Sequence, residues 1–188
     1  MRKSIYTFKQ QFYLSSIKSL KGTVLEIGFG NGETLLKYSS ASNVIAIEND
    51  KDKVEKAKQL LKERNIQNVS VLFGSIENLP FDNDYFDAIT FSFTLCSVQS
   101  QSKSVQELNR VLKPTGKLIA IEHTLSENIY YRSLQKLITK PLTLLFDNCH
   151  LDNEPKKILT EGKFKIIKEN YFSFFIEPQL YIEAIKLT

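Results

Sequence analysis

Cysteine is scarce in this chain of 188 residues, which contains only Cys96 and Cys149. The two lie far apart in the sequence, and their spacing matches neither a CxxC motif nor a zinc-ligand template. The sequence therefore predicts no disulfide framework and no metal site. Cysteine used in this way is typical of a reducing compartment, so we expect a cytoplasmic protein.

Long hydrophobic runs are also missing. No stretch approaches the roughly 20 apolar residues that a membrane span needs, and residues 1–21 lack the continuous apolar core of a signal peptide. Internal repeats and low-complexity linkers are absent too, so we expect one domain over residues 1–188. The net charge of +4 is only mildly basic, which permits but does not indicate contact with nucleic acid or an anionic membrane.

What the chain does contain is a regular alternation of short apolar segments and amphipathic helices. After an N-terminal helix over about residues 1–20, the pattern predicts strands at 23–28, 44–48, 70–74, 86–93 and 117–122, and helices over 33–40, 50–64 and 102–112. A turn is predicted at 113–116. Such βαβ units form a doubly wound, mostly parallel α/β sheet that binds ligands at the carboxyl ends of its strands.

The last third of the chain has a different rhythm. Residues 128–146 read as an amphipathic helix interrupted by Pro141, and 155–161 as a short helix. Two strand candidates follow at 164–176 and 179–187. Their connection is too short for a parallel return, so we expect an antiparallel hairpin and one reversed strand in the sheet.

The glycine-rich turn after the first strand carries negative charge where a phosphate loop would not. Gly28, Gly30 and Gly32 are spaced G-x-G-x-G, and Glu33 holds the place of the third glycine in the dinucleotide fingerprint. Glu26 stands just before the turn. Two like charges at about 4 Å repel by about 4 kcal/mol at an effective dielectric constant of about 20, which disfavours a pyrophosphate.

A cofactor with a cationic head and no phosphate reverses that sign, and S-adenosylmethionine, with its ammonium and sulfonium groups, has this chemistry. Glu48 ends the second strand, where an acidic residue receives ribose hydroxyls. The alternative is a glycine turn that only packs helix against strand, with both acids merely solvated.

Between about residues 20 and 125 the chain carries, in order, VLEIGFGNG, VIAIEND, FGSIENLPF, FDAITFSFTL and ELNRVLKPTGKLIAIEH. These motifs resemble those of class I S-adenosylmethionine-dependent methyltransferases, most of all the methyltransferase type 11 branch with the ubiquinone/menaquinone methyltransferases. The resemblance implies a Rossmann-like, seven-stranded sheet whose last strand is antiparallel. That agrees with the predicted hairpin.

The same resemblance implies which residues bind the cofactor. The methionine part would be surrounded by Glu26, Gly28, Gly30 and Asn31. Glu48 would bind the ribose hydroxyls and Asn49 would flank the adenine. Ser75 and Ile76 depart from the family, which usually has an acidic or amide residue there against the adenine amine, and Ser92 matches a further contact.

A narrower resemblance covers about residues 90–152, where FTLCSV, IEH and LLFDNCHL are similar to strings of the thiol methyltransferase-like family. It implies that His123 and Asp147 face the methyl acceptor and help to deprotonate a thiol. The alternative for His123 is a ring bonded to a backbone carbonyl, and Cys96 is expected to pack as a small hydrophobe. Methyl transfer needs no metal, and the spacing of the polar cluster after Asp147 (Cys149, His150 and Asp152) matches no metal template.

We therefore predict an S-adenosylmethionine-dependent methyltransferase that acts on a small hydrophobic acceptor, with a thiol favoured, and releases S-adenosylhomocysteine. Residues 124–162 would form an insertion on the acceptor side. A quinone or phospholipid-amine methyltransferase is one alternative, and a non-catalytic S-adenosylmethionine-binding protein is another. A nucleic-acid base methyltransferase is disfavoured, because SFTL stands where such enzymes carry an Asn/Asp-Pro-Pro-Tyr/Phe string.

Two features of the assembly stay open at this stage. The apolar residues of 128–146 and 171–175 suit core packing, the wall of an acceptor pocket or a dimer contact. The sequence thus allows a monomer or a homodimer, and it allows peripheral contact with a membrane.

Overall fold

The computed structural model describes residues 12–40, 42–143, 149–173 and 177–187. Within these ranges the chain forms one seven-stranded sheet with the spatial order β3-β2-β1-β4-β5-β7-β6. The strands are β1 Gly22–Ile27, β2 Ser42–Glu48, β3 Val69–Phe73, β4 Phe86–Ser92, β5 Leu112–His123, β6 Phe164–Phe172 and β7 Gln179–Lys186.

The topology of the sheet creates a switch point between β1 and β4. The chain runs outward from β1 through β2 to β3, then returns to pair β4 with the other side of β1, all in parallel. Strand β5 continues parallel to β4, whereas β7 runs antiparallel to both β5 and β6. The predicted doubly wound sheet with one reversed strand is confirmed. A crevice opens where the two strand orders diverge.

Helices cover both faces of the sheet. They are α1 at residues 12–18, α2 Lys51–Glu63, α3 Gln101–Val111, α4 Ile129–Thr143 and α5 Pro155–Glu161. On one face, α3 and α5 bury Leu108 and Leu159 against the strands. On the other face, α2 packs Ala57 and α1 packs Ile17. Because helices cover both faces of the sheet, the polar groups that stay accessible are those at the ends of the strands, along one rim.

Local sequence explains why α2 and α3 begin where they do. Asp50 accepts hydrogen bonds from the backbone N–H groups of Asp52 and Lys53, and Ser100 accepts one from Lys103. These side chains satisfy amide groups that have no partner within the first turn. A stripe of apolar residues with helical spacing then faces the sheet in each helix.

The helix predicted from residue 33 is wrong, because the chain forms only a 3-10 turn, Thr34–Lys37. Glu33 provides no side-chain cap, and the chain must reach β2 at Ser42 within a few residues. The predicted turn at 113–116 is an irregularity within β5, where the register jumps from Leu112 opposite Phe86 to Lys117 opposite Ala88.

The interruption predicted at Pro141 is also wrong, since α4 continues through this residue to Thr143. Pro141 removes one backbone donor from the last turn, and the helix ends two residues later. Among the described residues, no helix combines the length and the hydropathy needed to cross a bilayer.

Candidate active site

A cavity of about 880 Å³ lies at the carboxyl ends of β1 to β4, at the switch point of the sheet. Its volume is within the range of about 300–1,000 Å³ that is typical of small-molecule sites. The lining includes, from the predicted cofactor-binding set, Gly28, Gly30, Glu48, Asn49, Ser75, Ile76 and Ser92. Residues that the sequence analysis did not select also line it, among them Asp50, Glu77, Phe93, Thr94, Ser97 and Val98.

The glycines of the turn after β1 have different reasons to be glycine. Gly28 has φ +67°, and a Cβ placed there would lie 2.6 Å from the Thr94 hydroxyl oxygen. Gly30 has φ +56°, but a Cβ there would meet nothing within 4 Å. Packing therefore requires glycine at position 28, whereas position 30 exposes its backbone to the cavity and leaves room for a ligand.

Glu48 connects the end of β2 to this glycine turn. One carboxylate oxygen accepts a hydrogen bond from the N–H of Gly30 at 3.0 Å, and the other accepts one from Asn49 at 2.9 Å. The side chain is buried but lines the cavity. A carboxylate has about four acceptor positions, so acceptor capacity remains for the hydroxyl groups of a ligand.

Glu26 lies behind the cavity lining rather than in it. Its side chain is buried, and burial raises the pKa of the carboxyl to about 7, while a hydrogen bond from the Thr34 hydroxyl acts in the opposite direction. The Oε2 atom of Glu26 and the hydroxyl of Tyr13 are both buried without a hydrogen-bond partner. Asn31 is exposed. Contact of Glu26 and Asn31 with a cofactor stays a prediction.

His123, at the carboxyl end of β5, lies next to the cavity lining rather than in it. Its ring lies 4.7 Å from the ring of Phe93, a lining residue, and its Nδ1 atom lies 3.3 Å from the sulfur of Cys149. Among the described residues, the hydrogen-bond partner of the His123 ring is therefore the Cys149 thiol. The alternative was a backbone carbonyl. Asp147, the other residue predicted to be catalytic, lies outside the described residues.

The fold also brings the two cysteines together, which their spacing did not predict. The sulfur of Cys149 lies 3.2 Å from that of Cys96. The hydrogen bond between the thiols lowers the pKa of Cys149, with a further contribution from His123, whereas the same contact and burial raise the pKa of Cys96. Cys149 is therefore the member of the pair whose thiol ionises more readily.

Glu122, inside the IEH string, is a structural residue that the sequence analysis missed. Its buried carboxylate accepts backbone N–H groups of Thr94 at 2.6 Å, Leu95 at 3.0 Å and Cys96 at 3.2 Å. Burial raises its pKa to about 7, although these hydrogen bonds act against the shift. Glu122 thereby fixes the loop after β4. A charged residue in an otherwise apolar strand was the available signal.

A Rossmann-like sheet with a ligand cavity at its switch point and an acidic residue ending β2 suits a cofactor that contains a ribose, and the family match places the chain in the class of S-adenosylmethionine-dependent methyltransferases. Residues 25–120 match the methyltransferase domain family. The crystal structure of YcgJ from Bacillus subtilis has the same fold, with a TM-score of 0.79 and 19% identity over 99% of both chains. This chain belongs to the methyltransferase domain family, whose members use S-adenosylmethionine.

Curated relatives agree with this assignment. The uncharacterized methyltransferase YcgJ is 35% identical over 106 residues, 56% of this chain and 42% of that protein. The ubiquinone/menaquinone biosynthesis C-methyltransferase UbiE of Vibrio campbellii is 32% identical over 66% of this chain and 46% of its own length. The chain thus spans less than half the length of these two relatives. The rat thiol S-methyltransferase TMT1B is 31% identical over 170 residues, 85% of this chain and 69% of that protein.

Proposed function

We propose that this protein transfers a methyl group from S-adenosylmethionine to a small hydrophobic acceptor, and that the acceptor is a thiol. The observation that carries the proposal is the cavity at the switch point, with the Glu48 carboxylate at its donor end and His123 near its other end. The proposal treats the chain as a single methyltransferase domain with residues 124–162 on the acceptor side.

The donor end of the cavity suits S-adenosylmethionine in shape and charge. Gly30 leaves open space beside its backbone, and Glu48 has acceptor capacity for ribose hydroxyls. Behind the turn, burial raises the pKa of the Glu26 carboxyl to about 7, and an ammonium group nearby would favour the charged form of this carboxyl. Around the adenine and methionine parts we place the other residues that the family resemblance implies, Gly28, Asn31, Asn49, Ser75, Ile76 and Ser92.

When bound, S-adenosylmethionine supplies a methyl group on a positively charged sulfur, which a nucleophile attacks in line. The protein's part is to align the acceptor, exclude water and take up a proton where the nucleophile carries one. The His123 ring at the end of β5 packs against Phe93 of the cavity lining, so we assign to His123 the uptake of the proton that the acceptor loses. Asp147 stays a proposed partner in this step.

The choice of a thiol acceptor is supported by the relative that aligns over the largest share of this chain among those compared above, the rat thiol S-methyltransferase. The acceptor end also has apolar walls, since Phe93 and Val98 line the cavity there. A quinone acceptor is the second candidate, supported by the similarity to a C-methyltransferase of quinone biosynthesis.

Calorimetry and a transfer assay test the two halves of the proposal separately. We expect titration with S-adenosylmethionine to show one site per chain, and turnover with small hydrophobic thiols to exceed turnover with quinols and amines. Replacing His123 with Ala should keep donor affinity and lower turnover, whereas His150→Ala, at the other and exposed histidine, should change neither.

Each failure has its own meaning. An absence of donor binding would reject the cofactor assignment. Donor binding without turnover on any acceptor would leave a non-catalytic binding protein, and preferred turnover of quinols would replace the thiol assignment. Unchanged turnover in His123→Ala would remove this residue from proton transfer.

A further inference from the structure

Three potential metal ligands from distant parts of the chain converge beside the cavity. Among the described residues, one ligand atom each from Cys96, His123 and Cys149 lies within 4.8 Å of the other two. Cys96 follows β4, His123 ends β5, and Cys149 precedes α5. The spacing of Cys149, His150 and Asp152 in the sequence matches no metal-ligand template. Sequence spacing gives no information, however, about groups that only the fold brings together.

The separations between these atoms are close to those of a metal centre. Zn²⁺ with tetrahedral bonds of about 2.3 Å to sulfur and about 2.0–2.1 Å to nitrogen holds neighbouring ligand atoms about 3.5–3.8 Å apart. The two sulfur atoms lie 3.2 Å apart, and Cys149 sulfur lies 3.3 Å from the His123 Nδ1 atom. To admit the ion, these two separations must widen by about half an ångström or less, and the separation of Cys96 sulfur from the His123 nitrogen, which is within 4.8 Å, must reach about 3.5 Å.

The backbone around the three groups is already held in place. The Glu122 carboxylate accepts the N–H of Cys96, and the Cys96 carbonyl accepts the N–H of His150 at 2.8 Å, which joins the two cysteine-bearing segments. The Phe93 ring packs on the His123 ring. Outer partners of this kind orient the ligands of a metal before it binds.

We propose that Cys96, His123 and Cys149 form a binding site for a thiophilic divalent cation, with Zn²⁺ as the reference ion. Thiolate and imidazole ligands together suit Zn²⁺ better than Mg²⁺ or Ca²⁺, which prefer oxygen. Three protein ligands leave a fourth coordination position for water or another small ligand. Phe93 and Ser97 contact the cluster and also line the cavity, so this position is near the proposed acceptor end.

A disulfide between the cysteines is the competing use of the same atoms. It would require the sulfur atoms to approach from 3.2 Å to about 2.05 Å, and it would leave His123 without a part in the cluster. The metal site uses all three converging groups, which is why we favour it.

The test is Zn²⁺ binding to the reduced, metal-free full chain, measured in competition with a chromophoric chelator. We expect one Zn²⁺ per chain, and Co²⁺ in its place should give a thiolate-to-metal charge-transfer band. Cys149→Ser and His123→Ala should each weaken Zn²⁺ binding by more than the roughly 10–100-fold that loss of an outer-shell partner costs. Circular dichroism of the metal-free variants checks that they are folded.

The exposed His150 provides the matched control, because its backbone N–H contact with Cys96 survives replacement of the side chain by Ala. His150→Ala should keep the affinity for Zn²⁺. The proposal is overturned if the reduced protein binds no stoichiometric Zn²⁺, or if a folded His123→Ala variant binds it as tightly as the parent. Loss of both free thiols in air, together with no Zn²⁺ binding after reduction, would establish the disulfide instead. A His123 ring bound to the ion does not at the same time take up the acceptor's proton, so the two roles belong to different states of the site. None of these readouts depends on methyl transfer, so the two proposals are tested separately.

Discussion

Glu48 is the residue whose replacement should act most directly on donor binding. Its two oxygens hold the N–H groups of Gly30 and Asn49, and the proposal adds ribose hydroxyls to the same carboxylate. Hydrogen bonds to a charged group contribute about 1.5–3 kcal/mol each, so Glu48→Gln should weaken S-adenosylmethionine binding by about 10–100-fold in calorimetry. Glu63→Gln, on the exposed side of α2, is the matched control. Equal affinities would contradict the role of Glu48.

Glu26 gives the stability of the fold a defined dependence on pH. Burial raises the pKa of its carboxyl from 4.5 to about 7, so the folded chain retains a proton that the unfolded chain releases. The free energy of unfolding should therefore fall as the pH rises from about 4.5 to about 7, by about 3 kcal/mol in total. Glu122, whose pKa is also raised to about 7, contributes with the same sign.

Urea unfolding at about pH 5 and about pH 8 measures this effect. In Glu26→Gln the stability difference between the two pH values should be smaller than in the parent, because the amide does not ionise. Glu55→Gln, at an exposed carboxylate of α2, should keep the parent's difference. The same pH dependence in parent and Glu26→Gln would show that Glu26 ionises freely in the folded state.

At the scale of elements, replacing the two glycines of the turn after β1 should have different effects. Gly28 should matter for the stability of the fold, and Gly30 for the binding of the methyl donor. Gly28→Ala combines a left-handed backbone with a Cβ 2.6 Å from the Thr94 hydroxyl, so it should lower the free energy of unfolding by about 1–3 kcal/mol. Gly30→Ala carries the same left-handed strain but meets open space, so it should cost about 1–2 kcal/mol, less than Gly28→Ala, and should also weaken donor binding, because its methyl group enters the cavity. Thermal unfolding and calorimetry on both variants test this pair, and the reverse pattern would refute the assignment of their roles.

Helices and strands that are specified by their own residues were predictable from the sequence. Segments whose conformation depends on neighbouring parts of the fold were not. α2 has both a capping Asp50 and a stripe of Val54, Ala57 and Leu61, so its limits were predicted to within one residue. The segment after Gly32 has helix-forming residues, but the short path to β2 restricts it to a 3-10 turn. Tertiary geometry decided that case against local propensity.

For the whole molecule, donor binding should stabilise the fold through linkage. A ligand that binds only the folded state at about 100 times its Kd adds about 2.7 kcal/mol to the free energy of unfolding. We expect S-adenosylmethionine to raise the Tm of the parent, and at the same concentration to raise that of Glu48→Gln by less. An equal shift in both proteins would mean that the ligand stabilises the chain from a different site.

The doubly wound, mostly parallel sheet with one reversed strand was predicted at this scale, whereas the convergence at the far end of the cavity was not. Alternating strands and helices allow few arrangements, and right-handed crossovers place the strand ends at one rim. Cys96 and Cys149, by contrast, are 53 positions apart, and Cys149 follows a helix whose path the sequence does not specify. Their proximity, together with His123, depends on how that connection returns to β5.

The position of β7 has a consequence for synthesis on the ribosome. This strand lies between β5 and β6 and pairs with β5 from Lys117 to His123, although it is made long after β5. Until residues 179–186 have emerged, a nascent chain presents β5 as an open edge that could pair with another chain. The strand order therefore keeps the central part of the sheet incomplete until almost all of these residues have been made.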